Sequence, residues 1–169
     1  MTARSQAGQD DLDLLVDLAV QRILMSDEVA AIKFRSGDPV EDRRREQQVL
    51  AEAGRRAARL GLDQDVAIRF MQSQIHASKI LQRGLLARWQ SHPEQAPAST
   101  LNLESIRARL EQLDRLLLEQ LRRVWAAYPL ASLCRGLREV HTRAAAGHDL
   151  DLLHRRALAA TADWACSAG

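Results

Sequence analysis

Aromatic residues are scarce in this 169-residue chain, at 4%, and there are only eight glycines and four prolines. That scarcity argues against an all-β fold, which draws on aromatic and β-branched strands and on turn residues at short intervals. No apolar run approaches the roughly 18 to 20 residues of a membrane span, so the chain reads as soluble, with no lipid anchor visible. A charge excess is missing too. Twenty-four Lys and Arg oppose 22 Asp and Glu, for a net charge of +2, which disfavours non-specific phosphate-backbone binding. Cysteine is limited to Cys134 and Cys166, and neither has another Cys or His at metal-ligand spacing. By themselves the two are compatible with a disulfide or with two buried thiols serving as small apolar fillers.

What is present is 46% hydrophobic and 27% charged residues, enough apolar surface for one core and one domain over residues 1–169. All but two of the 24 cations are arginine; the exceptions are Lys33 and Lys79. Residues 1–9 are polar and lack an apolar signal core. They suit either a cytosolic start or a disordered mature N-terminus left after signal removal.

Apolar residues recur at helical spacing from Asp10 to Arg35, through Leu12, Leu15, Ala19, Ile23 and Phe34, without Gly or Pro. Ser36-Gly37-Asp38-Pro39 ends this first helix. Pro39 suits the first turn of a second, with Glu41 and Asp42 near its positive end, running to about Leu60 before Gly61. A third runs from Asp63 to about Trp89, and residues 91–100 read as an internal linker. Leu103–Ala127, a helix from Pro129 or Leu130 to Ala146, and one from Asp149 to about Cys166 complete an all-α bundle of about six helices, with Gly147 between the last two.

Several of the apolar stripes carry polar groups. Arg22 and Lys33 are eleven residues apart, which at about 100° per residue leaves them only about 20° apart around the helix axis. Both follow the line of Leu15, Leu18, Met25 and Val29, and buried cations require a partner or an anionic ligand. Asp42, Arg45 and Glu46 open the apolar face of the second helix, where a solvated ion-pair network would look the same. Ser78 and Gln82 interrupt the stripe of Met71, Ile75 and Leu85 on the third helix. Arg107 lies beside Ile106 and Leu110 on the fourth, where snorkelling is the ordinary explanation. Four helices thus bring cations, two carboxylates and two neutral hydrogen-bonding groups to apolar faces, a set suited to a small multiply anionic molecule bearing a hydroxyl. No nucleophile-base motif or glycine-rich phosphate loop is recognisable, and the five histidines show no metal spacing, so electrostatic catalysis or plain binding remains.

From about Leu12 to Cys166 the chain resembles the secreted or periplasmic subclass of the all-α chorismate mutases. The order and spacing of Arg22, Val29-Ala-Ala-Ile-Lys33, Pro39-Val-Glu-Asp42-Arg-Arg-Arg45-Glu46 and Gln74-Ile-His-Ala-Ser78-Lys-Ile-Leu-Gln82 carry the resemblance. It implies a cofactor-independent Claisen rearrangement of chorismate to prephenate. Lys33 and Gln82 would act at the ether oxygen, and Arg22, Arg45 and Arg107 at the carboxylates. Ser78 would also meet a carboxylate, while Asp42 and Glu46 would meet the ring hydroxyl and balance the arginines. Intracellular members borrow an arginine from a second chain; here Arg107 of the fourth helix stands in that position, so C-terminal helices would complete each site within one chain. The same resemblance implies a Cys134–Cys166 disulfide, an exported protein and a homodimer, with no nucleic acid, membrane or metal involved. The alternative is a non-catalytic bundle of the same fold that binds small anions or acts as an adaptor; a basic nucleic-acid-binding protein is a weaker third reading.

Overall fold

The computed structural model describes residues 3–167. Seven α-helices and one short 3-10 turn follow in order: α1 (Ala3–Ser36), α2 (Arg43–Leu60), α3 (Gln64–Ser91), the turn Pro93–Gln95, α4 (Leu103–Ala127), α5 (Leu130–Gly147), α6 (Leu152–Ala160) and α7 (Asp163–Cys166). No strand occurs among the described residues.

Side-chain caps set most of the helix starts. Asp42, Asp63, Asn102 and Asp151 each accept a hydrogen bond from the backbone N–H three residues on, satisfying a donor with no partner inside the helix. Pro39, expected in the first turn of α2, therefore lies in the connection before it, because Asp42 takes the cap at φ −135° and ψ 78°. Gly61 ends α2 at φ 68°, a left-handed backbone that glycine adopts without a Cβ penalty.

Two further boundaries differ from expectation. α1 begins at Ala3 rather than Asp10, so residues 3–9 are helical rather than disordered; residues 1 and 2 lie outside the described part. Only Gly8 in Ala3–Gln9 disfavours a helix, and the helix runs through it because Gly8 is buried beside the Ala127 carbonyl and the Tyr128 ring. The helix expected over Asp149–Cys166 is two helices. At its break the Thr161 hydroxyl donates to the Leu158 carbonyl at 2.6 Å, competing with the helical ladder, and the Trp164 N–H is drawn to Ser73 Oγ at 3.1 Å.

α1 is the axis of the bundle, packing against α3, α4, α5 and α6. Leu12, Leu15, Val16 and Ile23 of α1 meet Phe70, Met71 and Leu81 of α3 and Leu117, Leu121 and Val124 of α4 in one core. Helices on both sides of the 91–100 linker thus share a single apolar interior. Phe70 and Trp164 pack edge to face with ring centres 5.5 Å apart, docking α7 on α3. A Cys134–Cys166 disulfide with a Cα separation of 4.9 Å ties α5 to α7. No described helix is long and apolar enough to cross a membrane.

Candidate active site

At 100° per residue, positions 22, 26, 29 and 33 fall on one side of α1. That side faces α3, where residues 74, 78 and 82 rise in steps of four. The first turns of α2 and α4 close the space between, and the resulting cavity of about 100 Å³ is lined by all eight sequence-predicted site residues. It shares Arg45, Val49 and Asp114 with a wider groove of about 560 Å³ between α2 and α4.

Each cation in the cavity is held by an oxygen of another part of the chain. Arg22 is only 6% exposed; its Nε donates to Asp114 Oδ1 of α4 at 2.7 Å and its Nη1 to the Gln74 carbonyl of α3 at 3.3 Å. Lys33, 8% exposed, donates from Nζ to the Val40 carbonyl at 3.0 Å. Burial pushes the Lys33 ammonium below its ordinary pKa, a shift opposed by Asp42 and reinforced by Arg107. Arg45 pairs with Glu111 at 2.8 Å, and Arg107 with Asp42 Oδ2 at 3.0 Å. Asp42 therefore has two duties, since its Oδ1 caps α2 by accepting from the Arg45 N–H. It stands just outside the helix rather than in its first turn.

On α3 the Gln82 Nε2 donates to Ser78 Oγ at 2.9 Å, and Ser78 shares a hydrogen with Ser26 Oγ at 2.7 Å. Gln82 Oε1 is buried in the cavity wall without a hydrogen-bond partner. The Ser26–Ser78 hydroxyl pair can reverse its donor direction, so the amide can also turn over, letting Oε1 accept from Ser78 while Nε2 faces the cavity.

Some site-lining groups were not singled out in the sequence. Asp114 lies seven residues after Arg107, two helical turns on the same face of α4, a periodicity that could have identified it. Lys79 binds Glu46 at 3.1 Å and Glu41 at 3.2 Å; although partly desolvated, its ammonium is pushed up in pKa by these two carboxylates. Only the tertiary approach of α2 to α3 makes that contact. Ser26, one turn after Arg22, stands behind the lining, where it meets Ser78. Val49 of α2 is also part of the cavity wall.

Five cations line the cavity (Arg22, Lys33, Arg45, Lys79 and Arg107) against three carboxylates (Asp42, Glu46 and Asp114). Within the lining the cations exceed the carboxylates by two, an excess suited to a dianion once the pairs that Arg45 and Lys79 make with Glu111 and Glu41, outside the lining, give way.

The comparisons with known proteins agree. Residues 9–83 match the family described as chorismate mutase type II. The secreted chorismate mutase of Mycobacterium tuberculosis is 30% identical over 161 residues, spanning 95% of this chain and 81% of the relative. That of Mycolicibacterium smegmatis is 36% identical over 111 residues, 66% of this chain and 61% of the relative. Among solved structures, chorismate mutase from Burkholderia thailandensis superposes with a TM-score of 0.85 at 28% identity, covering 92% of this chain and 99% of that one. The enzyme from Burkholderia phymatum gives 0.82 at 32% identity, over 95% and 96% of the two chains. On the family match, the near full-length relative and the shared all-helical fold, the chain belongs to the type II chorismate mutases, within their secreted subclass.

Proposed function

We propose that the cavity among α1, α2, α3 and α4 binds chorismate and converts it to prephenate, the eight residues dividing between the carboxylates, the ether oxygen and the ring hydroxyl. The reaction is a unimolecular Claisen rearrangement. One carbon–oxygen bond breaks as one carbon–carbon bond forms, and no proton, electron pair or group is gained or lost.

The charge balance of the cavity carries this reading. The substrate is a dicarboxylate whose enolpyruvyl arm must fold over the ring, and cations fixed on different helices hold that compact conformer, lowering the entropic part of the barrier. Arg22, Arg45 and Arg107 clamp the carboxylates, with the Ser78 hydroxyl as a further donor. Arg22 is the most rigid of the three, since Asp114 and the Gln74 carbonyl already fix its plane. The Arg45–Glu111 pair, with Glu111 61% exposed, gives way most easily when substrate enters.

Bond breaking runs ahead of bond making, so negative charge gathers on the ether oxygen. The buried Lys33 ammonium and the Gln82 amide, turned so that Nε2 faces the cavity, meet that charge more strongly in the transition state than in the ground state. Asp42 and Glu46 accept from the ring hydroxyl and balance the arginines in the empty site. Because Arg107 comes from the chain's own α4, one chain supplies a complete site.

The chain acts as one domain in the periplasm or outside the cell, where an oxidising environment maintains the Cys134–Cys166 bridge, and it pairs as a homodimer. Light scattering on the purified protein decides the last point, a mass near 18.9 kDa counting against it.

Loss of chorismate absorbance, followed with purified protein and no additives, tests the activity. Lys33→Ala lowers kcat by at least the roughly 100- to 1000-fold seen on removal of an oxyanion donor. Near-normal kcat in that variant removes Lys33 from the mechanism.

A further inference from the structure

The connection between α1 and α2, residues 37–42, supplies Val40 and Asp42 to the cavity wall, yet none of its residues is buried. Apolar packing therefore does not set its position, and polar ties must. The hydroxyl of Ser36, the last residue of α1, donates to Asp38 at the start of the connection. Three ties reach other parts of the site. The Val40 carbonyl accepts from Lys33, Asp42 accepts from Arg107, and Glu41 accepts from both Lys79 and Arg83 of α3.

Two of these three ties end on cations that the bound substrate also engages. The Glu41 tie depends least on substrate: Lys79 lines the cavity, but Glu41 itself and its second partner, Arg83, do not. Asp42 has a second hold because it caps α2. Val40 has none, so the place of its carbonyl depends on the neighbouring Glu41.

We propose that Glu41 is a positioning residue for Lys33: clamped by Lys79 and Arg83, it keeps the 37–42 connection on α3 and the Val40 carbonyl on the Lys33 ammonium. The inference rests on the reading of Lys33 as the cation at the ether oxygen. Glu41 acts by placement more than by its own field, since the charges that weigh most on Lys33 are those of Asp42, Arg107, Asp38 and Glu46. Exposed ion pairs add at most about 1 kcal/mol to global stability, whereas a shift of about 1 Å in a reacting group can cost on the order of 100-fold in rate.

The test is a double-mutant cycle on the full chain. Glu41→Gln lowers kcat by about tenfold, a fraction of the loss from full misplacement, with KM changed less than about twofold and the melting temperature almost unchanged. On a Lys33→Ala background the same substitution causes no further loss, because the group it positions is already gone. Arg83→Gln, which loosens the clamp from α3, lowers kcat in the same direction and serves if Glu41→Gln folds poorly. Equal fold-losses on both backgrounds, or wild-type kcat in Glu41→Gln and Arg83→Gln while Lys33→Ala is impaired, overturn the proposal. Near-normal kcat in Lys33→Ala instead overturns the reading on which it rests.

Discussion

At the scale of single residues, protonation separates the two groups proposed for the ether oxygen. Gln82 is neutral and donates at any pH, so kcat/KM should stay nearly flat between about pH 5 and 8. Gln82→Glu donates only when protonated, and its profile should rise toward acid; an unchanged profile counts against the role. On the alkaline side the limiting group is Lys33. Burial lowers its pKa from the ordinary 10.5, so activity falls as pH rises through a value below that of a free lysine. Arg22, Lys33, Ser78 and Gln82 were legible in the sequence because helical periodicity places them on stripes where charge and amides do not ordinarily occur. Their partners were not. Asp114 on Arg22 and Lys79 on Glu46 join residues far apart in the chain, and a solvated carboxylate and a buried one look alike in a string of letters.

At the scale of elements, α6 is fastened to α1 by a single ionisable bridge. His154 Nε2 lies 3.0 Å from Asp27 Oδ1 of α1, and its Nδ1 lies 2.6 Å from Asp151 Oδ1 at the N-cap of its own helix. Asp27 above all, then Asp151, outweighs burial and raises the His154 pKa from 6.5 to about 9. A folded-state value above the unfolded one stabilises the protein fully below about pH 6.5 and is lost as pH climbs through about 9. Nearby, buried His141 is lowered to about 4 by desolvation, so it contributes above about pH 6.5 and is lost as pH falls toward 4. In thermal melts, His154→Leu should sit well below the wild type at pH 6 and close to it at pH 10. A gap independent of pH argues against the bridge. Helix boundaries were readable where an Asp or Asn cap or a glycine stop is local, as at Asp63 and Gly61. The break at Thr161 was not, since it depends on Ser73 and Trp164 meeting across the bundle.

At the scale of the whole molecule, the proposed catalytic groups lie between residues 22 and 107, while the disulfide joins residues 134 and 166. The bridge closes a loop of about thirty residues, worth roughly 3 to 4 kcal/mol in the chain-entropy description. Reduction should lower the melting temperature by on the order of 10 °C while kcat at 25 °C stays within about twofold of the oxidised enzyme. A large loss of kcat in a still-folded reduced protein would show that α5–α7 support the site directly. The near-neutral charge has its explanation at this scale as well. Most arginines form a solvated surface, as in the Arg55 and Arg59 pairs with Glu52, and the excess cations are concentrated in one cavity.

The all-helical class, the principal helices and the faces on which cations are buried could be read from the amino acids in order, because periodicity, caps and glycine stops act within a few residues of the chain. Together with the spacing of its site residues, that was enough to indicate the family. Which carboxylate holds which arginine, and that the 37–42 connection folds back onto Lys33, came from the tertiary structure alone. Those contacts join residues up to 92 positions apart, as in Arg22 and Asp114, and are set by how helices pack rather than by any local preference.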